Sequence, residues 1–457
     1  MLPARLHIPP LTEPFNCTGG RALRLPGSKS LTNRALVLAA LADGASTLTG
    51  VLFSDDTRVM LANLEKLGFL DQARDVDAAR CTVTIHGQAG RIPAAGGSGG
   101  SGGELFCGNS GTTIRFLTAL CCLGDPGSRY TLTGIPRMLE RPIGELVDML
   151  RRLGARIDYA GREGFPPIVV HGGGIRGGEL TLQPTLSSQY ITAALQIAPY
   201  LPGGLTLRFD GPVTSRPYVE MTAATMRAFG VQPVWQGDAI AVPAGVYAGR
   251  PYAIEPDASN ASYFLAAAAI TPGSHADIAD LTAASVQGDA KFTAVLERMG
   301  SPLHAVDVDL NDMPDMAQTL AVVALFAQGT TVIRNVGNLR VKETDRMAAL
   351  QNELTKFGAK VEITGDDLAI TPPPEVASKE TSHLPFPPGG EVVIETYDDH
   401  RMAMAFAVAG LGSHRLPGRP RVVIDDPACV NKTFPNFFDK INELRPPPPE
   451  VQGVKSE

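Results

Sequence analysis

No stretch of this sequence approaches roughly 18 uninterrupted apolar residues, the length a membrane-spanning helix needs, so no span is expected. Met1 to Asn16 lacks a basic start followed by an apolar core, which argues against a secretory signal. Cations are not in excess. With a formal charge of −7, a general nucleic-acid surface is excluded, and any anionic ligand must be held by local cation clusters. The six cysteines (Cys17, Cys81, Cys107, Cys121, Cys122, Cys429) form no Cys-x-x-Cys pair and read as buried reduced thiols of a cytoplasmic protein. His400 beside Asp398 and Asp399 makes a poor metal site, because metal-ligand His spacing is lacking elsewhere and Arg401 would repel a cation.

At 457 residues the chain exceeds one ordinary core, so two domains are expected, and 44% apolar with 19% charged residues fits a soluble globular protein. A phrase recurs along it: an amphipathic helix, an apolar residue, a glycine, then an alternating strand. The copies end at Gly68, Gly154, Gly230, Gly300 and Gly358, each placed as a helix C-cap. Their spacing of roughly 60–90 residues suits a repeated α/β unit rather than a solenoid. Ala94 to Gly103 reads as a flexible connection and Pro372 to Gly390 as an exposed loop.

Three clusters of cations, hydroxyls and acids stand far apart: Pro26–Arg34 (PGSKSLTNR), Arg340–Arg346 (RVKETDR) and Tyr397–Met404 (YDDHRMAM). Together they predict one site for anionic substrates. Gly27-Ser28-Lys29-Ser30 lacks P-loop spacing, but a Gly-Ser turn opening a helix aims backbone N–H groups at an anion, with Lys29, Ser30 and Arg34 adding to it. Gly172 to Gly177 contains Gly-x-Gly-x-x-Gly, yet a strand rather than a helix follows, so it is a turn and not a dinucleotide site. Gly111 opens another helix where backbone can approach a ligand. Arg141 is placed to grip a carboxylate or phosphate with two prongs. Ser187-Ser188-Gln189 and Ser215 offer polar groups at further helix starts, and Asp315 begins a helix of small apolar residues. In the Lys342 segment, Lys342 and Arg346 are i,i+4 neighbours on a prospective salt-bridged helix face, and Glu343 and Arg346 fall on one face at i,i+3.

These clusters, with GNSGTTIRFL, RMLERPIGELVDML, EPDASNASYFLAAAAI, MPDMAQTLAVVALFA and DPACVNKTFPNFF between them, resemble the 5-enolpyruvylshikimate-3-phosphate synthase family from about Leu25 to Phe438. The resemblance implies an α/β two-domain enolpyruvyl transferase fold, each domain three βαβαββ units in an inverse α/β barrel. Domain one would be 1–27 plus 257–445, domain two 28–256, and 446–457 a disordered tail. It implies a monomer with small-molecule substrates and no metal or organic cofactor. The reaction would join the 5-hydroxyl of shikimate 3-phosphate to C2 of phosphoenolpyruvate and release phosphate through a tetrahedral intermediate.

Carried over by motif, Lys29, Ser30, Arg34, Ser187, Ser188, Gln189, Ser215, Asp315, Asn338 and Lys342 would hold shikimate 3-phosphate. Lys29, Gly111, Arg141, Gln189, Arg346, Arg401 and Lys432 would hold phosphoenolpyruvate. The catalytic set would be Lys29, Asp315 as base at the 5-hydroxyl and Glu343 as acid at the methylene carbon. Gly111 would leave room for glyphosate, which competes with phosphoenolpyruvate in the family; Ser110 and Phe116 vary the family's pattern beside it. The sister transferase acting on UDP-N-acetylglucosamine is the nearest rival, but nothing marks Cys107, Cys121 or Cys122 as the reactive cysteine it needs. An inactive anion-binding paralogue is disfavoured because both acids and all the cations are present.

Overall fold

Helices with no polar face have to be interior, and the sequence supplies several. Lys29–Leu41 buries every residue from Leu31 onward, and Gly111–Cys121 and His400–Leu411 bury all of theirs. In the computed structural model, which describes residues 2–93, 102–183, 187–211, 213–374 and 386–445, Gly111–Cys121 packs against Lys29–Leu41 and Ser188–Ile197. A second trio pairs Ala317–Val323 with Ala258–Ile270 and His400–Leu411.

Around these helices one unit repeats. Strand Glu104–Phe106 runs into Gly111–Cys121, then into parallel strand Arg129–Thr133. Helix Gly144–Arg152 follows, and a hairpin of Arg156–Tyr159 and Ile168–His171 closes the sheet antiparallel. The same order recurs from Gly178–Leu182 to Ala239–Val242 and from Asp307–Asp309 to Asp367–Thr371. All five glycines of the recurring phrase have positive φ, from 73° at Gly300 to 95° at Gly230, so each turn needs a residue without a Cβ penalty. The glycine-rich run at 172–177 joins strand Ile168–His171 to strand Gly178–Leu182, as a turn.

Two buried cores result. One gathers Leu31 through Ile254; the other joins Ile8 to Leu23 with Tyr263 to Leu444. These are called here the middle and the outer domain. Two units are completed by strands from far away in sequence. Tyr252–Ala253 lies parallel to Asp43–Thr49 in the middle domain, and Arg5–Ile8 pairs antiparallel with Arg421–Asp425 in the outer one. Departing from the expected regularity, two outer-domain sheets have only three and two strands. The sheets stay separate, and none among the described residues closes into a barrel of strands.

The chain crosses between the domains twice, side by side. Ser28 N donates to Glu255 O at 2.8 Å and Asp257 N to Pro26 O at 3.0 Å. A Cβ at Gly27 would lie 1.8 Å from Gly50 O, so glycine is required at this crossing. The segments 94–101 and 375–385 and the tail 446–457, read above as connections and a tail, fall outside the described residues.

Candidate active site

Both trios of inner helices begin at the cleft between the domains. Ser28, Ser110 and Ser187 cap the middle-domain helices through their side chains, and Asp257 and Asp399 do so in the outer domain. The first-turn residues Lys29, Gly111 and Ser188 therefore sit at the positive ends of helix dipoles, with Lys29 N already donating to Asp257 Oδ2 at 2.9 Å.

One cavity in the cleft is lined by Lys29, Ser30, Arg34, Ser187, Ser188, Gln189, Ser215, Asp315, Asn338 and Lys342, joined by Thr112, Tyr218 and Pro314. The first ten are the residues expected around shikimate 3-phosphate. Arg34 is largely spent on the protein. Its Nε donates to Thr222 Oγ1 at 2.8 Å, its Nη1 to Ser30 O at 2.9 Å, and it stacks on Phe116. It thus fixes the turn that carries Ser30.

Beside this cavity lies a dense network of buried charge. Arg346 is its hub. Its guanidinium reaches Asp399 at 2.7 and 3.2 Å, Asp315 at 3.1 Å and Glu343 at 2.9 Å. Arg401 Nη2 donates to Asp315 Oδ2 at 2.8 Å, and Lys342 Nζ is 3.8 Å from its Oδ1. Arg141, from the middle domain, donates to Asn109 O at 2.9 Å and brings Nη2 within 4.0 Å of Glu343. Lys432 crosses the cleft, with Nζ 2.8 Å from both Asp56 Oδ1 and Asn109 O; Lys29 Nζ lies 3.4 Å from the other Asp56 oxygen.

Burial alone would push both Asp315 and Glu343 up. Arg401, Lys342, Arg346 and Lys29 instead hold Asp315 well below the usual carboxylate range, and Arg346 and Arg141 lead in doing so for Glu343. Burial depresses Lys342 and Arg141, opposed by Asp315 and Glu343 respectively. Both ring nitrogens of His400 are buried without a hydrogen-bond partner among the described residues, Nδ1 lying 3.7 Å from Asp399 Oδ1, and burial pulls its pKa well below the ordinary value.

The Lys342 segment corrects one expectation. Helix Arg346–Thr355 begins only at Arg346, capped by Asp345, so Lys342 and Glu343 are not on its face. The Glu343–Arg346 pair forms from the turn before the helix instead. Asp399 is committed to Arg346 and to its capping bond from Arg401 N, and no group of three or more His, Cys, Asp or Glu among the described residues could hold a metal. The sequence reading missed several participants. Asp56 bridges two cations, and Arg115 Nη1 donates to Gln189 Oε1 at 2.8 Å. Arg137 reaches across the cleft to the carbonyls of Glu343 (2.9 Å) and Lys342 (3.2 Å). Tyr218 lines the cavity. The paired acids after Ser54 were the available signal for Asp56; nothing local marks Arg137.

Across residues 20–441 the sequence matches the family described as EPSP synthase (3-phosphoshikimate 1-carboxyvinyltransferase). The chain belongs to the EPSP synthase family. A 3-phosphoshikimate 1-carboxyvinyltransferase of Vibrio cholerae serotype O1 is 44% identical over 449 residues, spanning 94% of this chain and 98% of that one. One from Ralstonia nicotianae is 45% identical over 443 residues, at 91% and 95% coverage. The fold is shared with the solved EPSP synthase of Acinetobacter baumannii, at a TM-score of 0.75 and 24% identity over 96% of this chain and 98% of that one. EPSP synthases are transferases of the shikimate pathway, so the cleft belongs to an enzyme of aromatic amino-acid biosynthesis.

Proposed function

We propose that the cleft transfers the enolpyruvyl group of phosphoenolpyruvate to the 5-hydroxyl of shikimate 3-phosphate. Shikimate 3-phosphate occupies the cavity between Lys29, Ser187, Ser188, Ser215, Asn338 and Lys342. Phosphoenolpyruvate lies against Lys29, Arg141, Gln189, Arg346, Arg401, Lys432 and the Gly111 turn. Asp315 takes the 5-hydroxyl proton as that oxygen bonds to C2 and Glu343 supplies the proton to the methylene carbon; the resulting methyl group then returns a proton to Glu343 as the C2–phosphate bond breaks, which restores the vinyl ether. The observation that carries this reading is the convergence, in a chain of net charge −7, of cations from both domains on two carboxylates, Asp315 and Glu343.

The two substrates bring two phosphates and two carboxylates. The cations are paired with Asp56, Asp315, Glu343 and Asp399. Substrate anions compete for the same donors, in a site whose walls amplify electrostatic differences. The domain limits are read at Gly27 and Asp257, where the two crossings pair. Because both domains of one chain complete the cleft, the enzyme is read as a monomer. Its free, mostly buried thiols and bacterial relatives support a cytoplasmic location.

The Gly111 turn offers the test of this assignment. A Cβ there would lie 2.4 Å from Arg115 Nη1 and 2.7 Å from Arg141 Nη2. Gly111→Ala pushes both guanidiniums, at an overpacking cost of about 1–3 kcal/mol. At 1.4 kcal/mol per decade this raises the KM for phosphoenolpyruvate by about 5- to 140-fold, and weakens glyphosate alongside it. The KM for shikimate 3-phosphate stays within about twofold, because Gly111 does not line that cavity. Steady-state kinetics with each substrate varied in turn checks this; a selective rise for shikimate 3-phosphate would reverse the assignment.

A further inference from the structure

One buried carboxylate next to this site has no salt-bridged cation of its own among the described residues. Asp289 sits in the turn Gly288–Lys291 at 4% exposure. Its Oδ2 faces the Tyr218 hydroxyl at 3.1 Å and a short contact from Ser259 Oγ, while Oδ1 is buried without a partner. The same Tyr218 hydroxyl lies 3.3 Å from Asp315 Oδ2. Tyr218 comes from helix Arg216–Ala228 of the middle domain, and both carboxylates belong to the outer domain. The Asp289–Tyr218–Asp315 chain is therefore complete only when the domains meet.

A phenol carries one proton and cannot donate to two carboxylates at once. With both acids ionised, one oxygen pair would face each other without hydrogen, and Asp289 would be a buried anion lacking a counter-ion. Uptake of one proton on Asp289 Oδ2 resolves this, so the chain with both acids ionised is poised to accept one. Asp289 then donates to Tyr218, and Tyr218 donates to Asp315. The charged and titratable groups around Asp289 agree. Burial first, then Asp315, push its carboxyl up to about 6, against Arg401 and the bonds from Ser259 and Tyr218. Asp315, ringed by four cations, is the opposite case: it accepts a proton but keeps it poorly, which is a weakness in a base acting alone.

We propose that Asp289 is the proton reservoir of this enzyme, exchanging a proton with Asp315 through the Tyr218 hydroxyl. This rests on the reading of Asp315 as the base at the substrate hydroxyl. The step balances in protons. The substrate O–H breaks as an O–H forms on Asp315. Asp315 passes that proton to the Tyr218 oxygen, while Tyr218 gives its own to Asp289 Oδ2. Asp315 ends ionised, Asp289 neutral and Tyr218 unchanged. As phosphate leaves, the chain runs in reverse: Asp289 returns the proton through Tyr218 to Asp315, which passes it to the departing phosphate, leaving both acids ionised. Asp289 acts through Asp315 and never touches substrate.

The test is the pH profile of kcat from about pH 5 to 9 at saturating substrates, for the parent enzyme, Asp289→Asn, Tyr218→Phe and Asp315→Asn. Asparagine keeps a donor toward the Tyr218 oxygen but cannot store a proton. The parent kcat should fall below about pH 6 as Asp289 fills. Asp289→Asn should lose that acid limb and about 100-fold in kcat, while its shikimate 3-phosphate KM stays within about threefold. Tyr218→Phe, which removes only the hydroxyl, should lose the limb too and answers the question if Asp289→Asn does not fold. An acid limb that persists in Asp289→Asn, or a raised KM at unchanged kcat, overturns the reservoir. Asp315→Asn separates the two readings. Collapse of its kcat beside an unaltered Asp289→Asn profile rejects the reservoir alone, whereas an undiminished kcat rejects the role of Asp315 on which it rests.

Discussion

Glu343→Gln is expected to lower turnover by about 10²–10⁴-fold while shikimate 3-phosphate binds nearly as before. Glu343 lies between Arg346 at 2.9 Å and Arg141 at 4.0 Å, and its side chain is 8% exposed. Its backbone carbonyl is held by Arg137 from across the cleft, so the carboxylate is fixed from both domains. Glutamine preserves the shape and an oxygen for Arg346. What it loses is the ability to take up and return a proton. The cations that hold Glu343 ionised are the ones assigned to phosphoenolpyruvate. On the proposed assignment, binding that substrate would share their field with its phosphate and carboxylate and move Glu343 toward the protonated form expected of the acid. Phosphate-release kinetics give kcat, and calorimetry gives the affinity for shikimate 3-phosphate. Loss of that affinity would mean a structural carboxylate instead.

Arg346→Met is expected to cost both activity and stability. One buried guanidinium satisfies Asp399, Asp315 and Glu343, and its own proton is held tightly because Asp399, Glu343 and Asp315 outweigh burial. Methionine fills much of the volume but leaves three carboxylates short of a partner. Removing one side of a buried ion pair costs about 3–5 kcal/mol, mostly through the uncompensated charge left behind. The loss should fall on the outer domain. Trp235, the single tryptophan, packs against the middle-domain core, so its fluorescence reports that domain. In urea, the circular dichroism transition should begin earlier in Arg346→Met, while the tryptophan transition moves less. Equal displacement of both would show that the domains unfold as one unit; no displacement of either would show that the network contributes nothing to stability.

Local chemistry was the legible part of this chain. Ser28, Ser110 and Ser187 could be read as helix starts because small polar residues precede apolar runs, and the structure caps helices there. The five glycines marked the repeat because each turn from helix to strand there takes a positive φ, which glycine adopts without penalty. Partners across the cleft were much less legible. Arg137 looks like any surface arginine, and its bonds to Glu343 and Lys342 join residues 206 and 205 positions away. Asp289 carries no local sign of function; its significance comes from Tyr218 and Asp315, brought beside it by two different helical elements. The turn before Arg346 was misread as a candidate helix face because charge spacing alone cannot tell a turn from a first helical turn. Asp345 was the residue that distinguished them, as a capping acid accepting from Met347 N and Ala348 N.

The central claim is that this cleft transfers an enolpyruvyl group to shikimate 3-phosphate. Its most direct test is phosphate release by the purified protein given shikimate 3-phosphate alone, phosphoenolpyruvate alone, and both. The account predicts release with both substrates together and with neither alone, one phosphate for each vinyl ether formed. Release supported by UDP-N-acetylglucosamine in place of shikimate 3-phosphate, or no release under any condition, would contradict it.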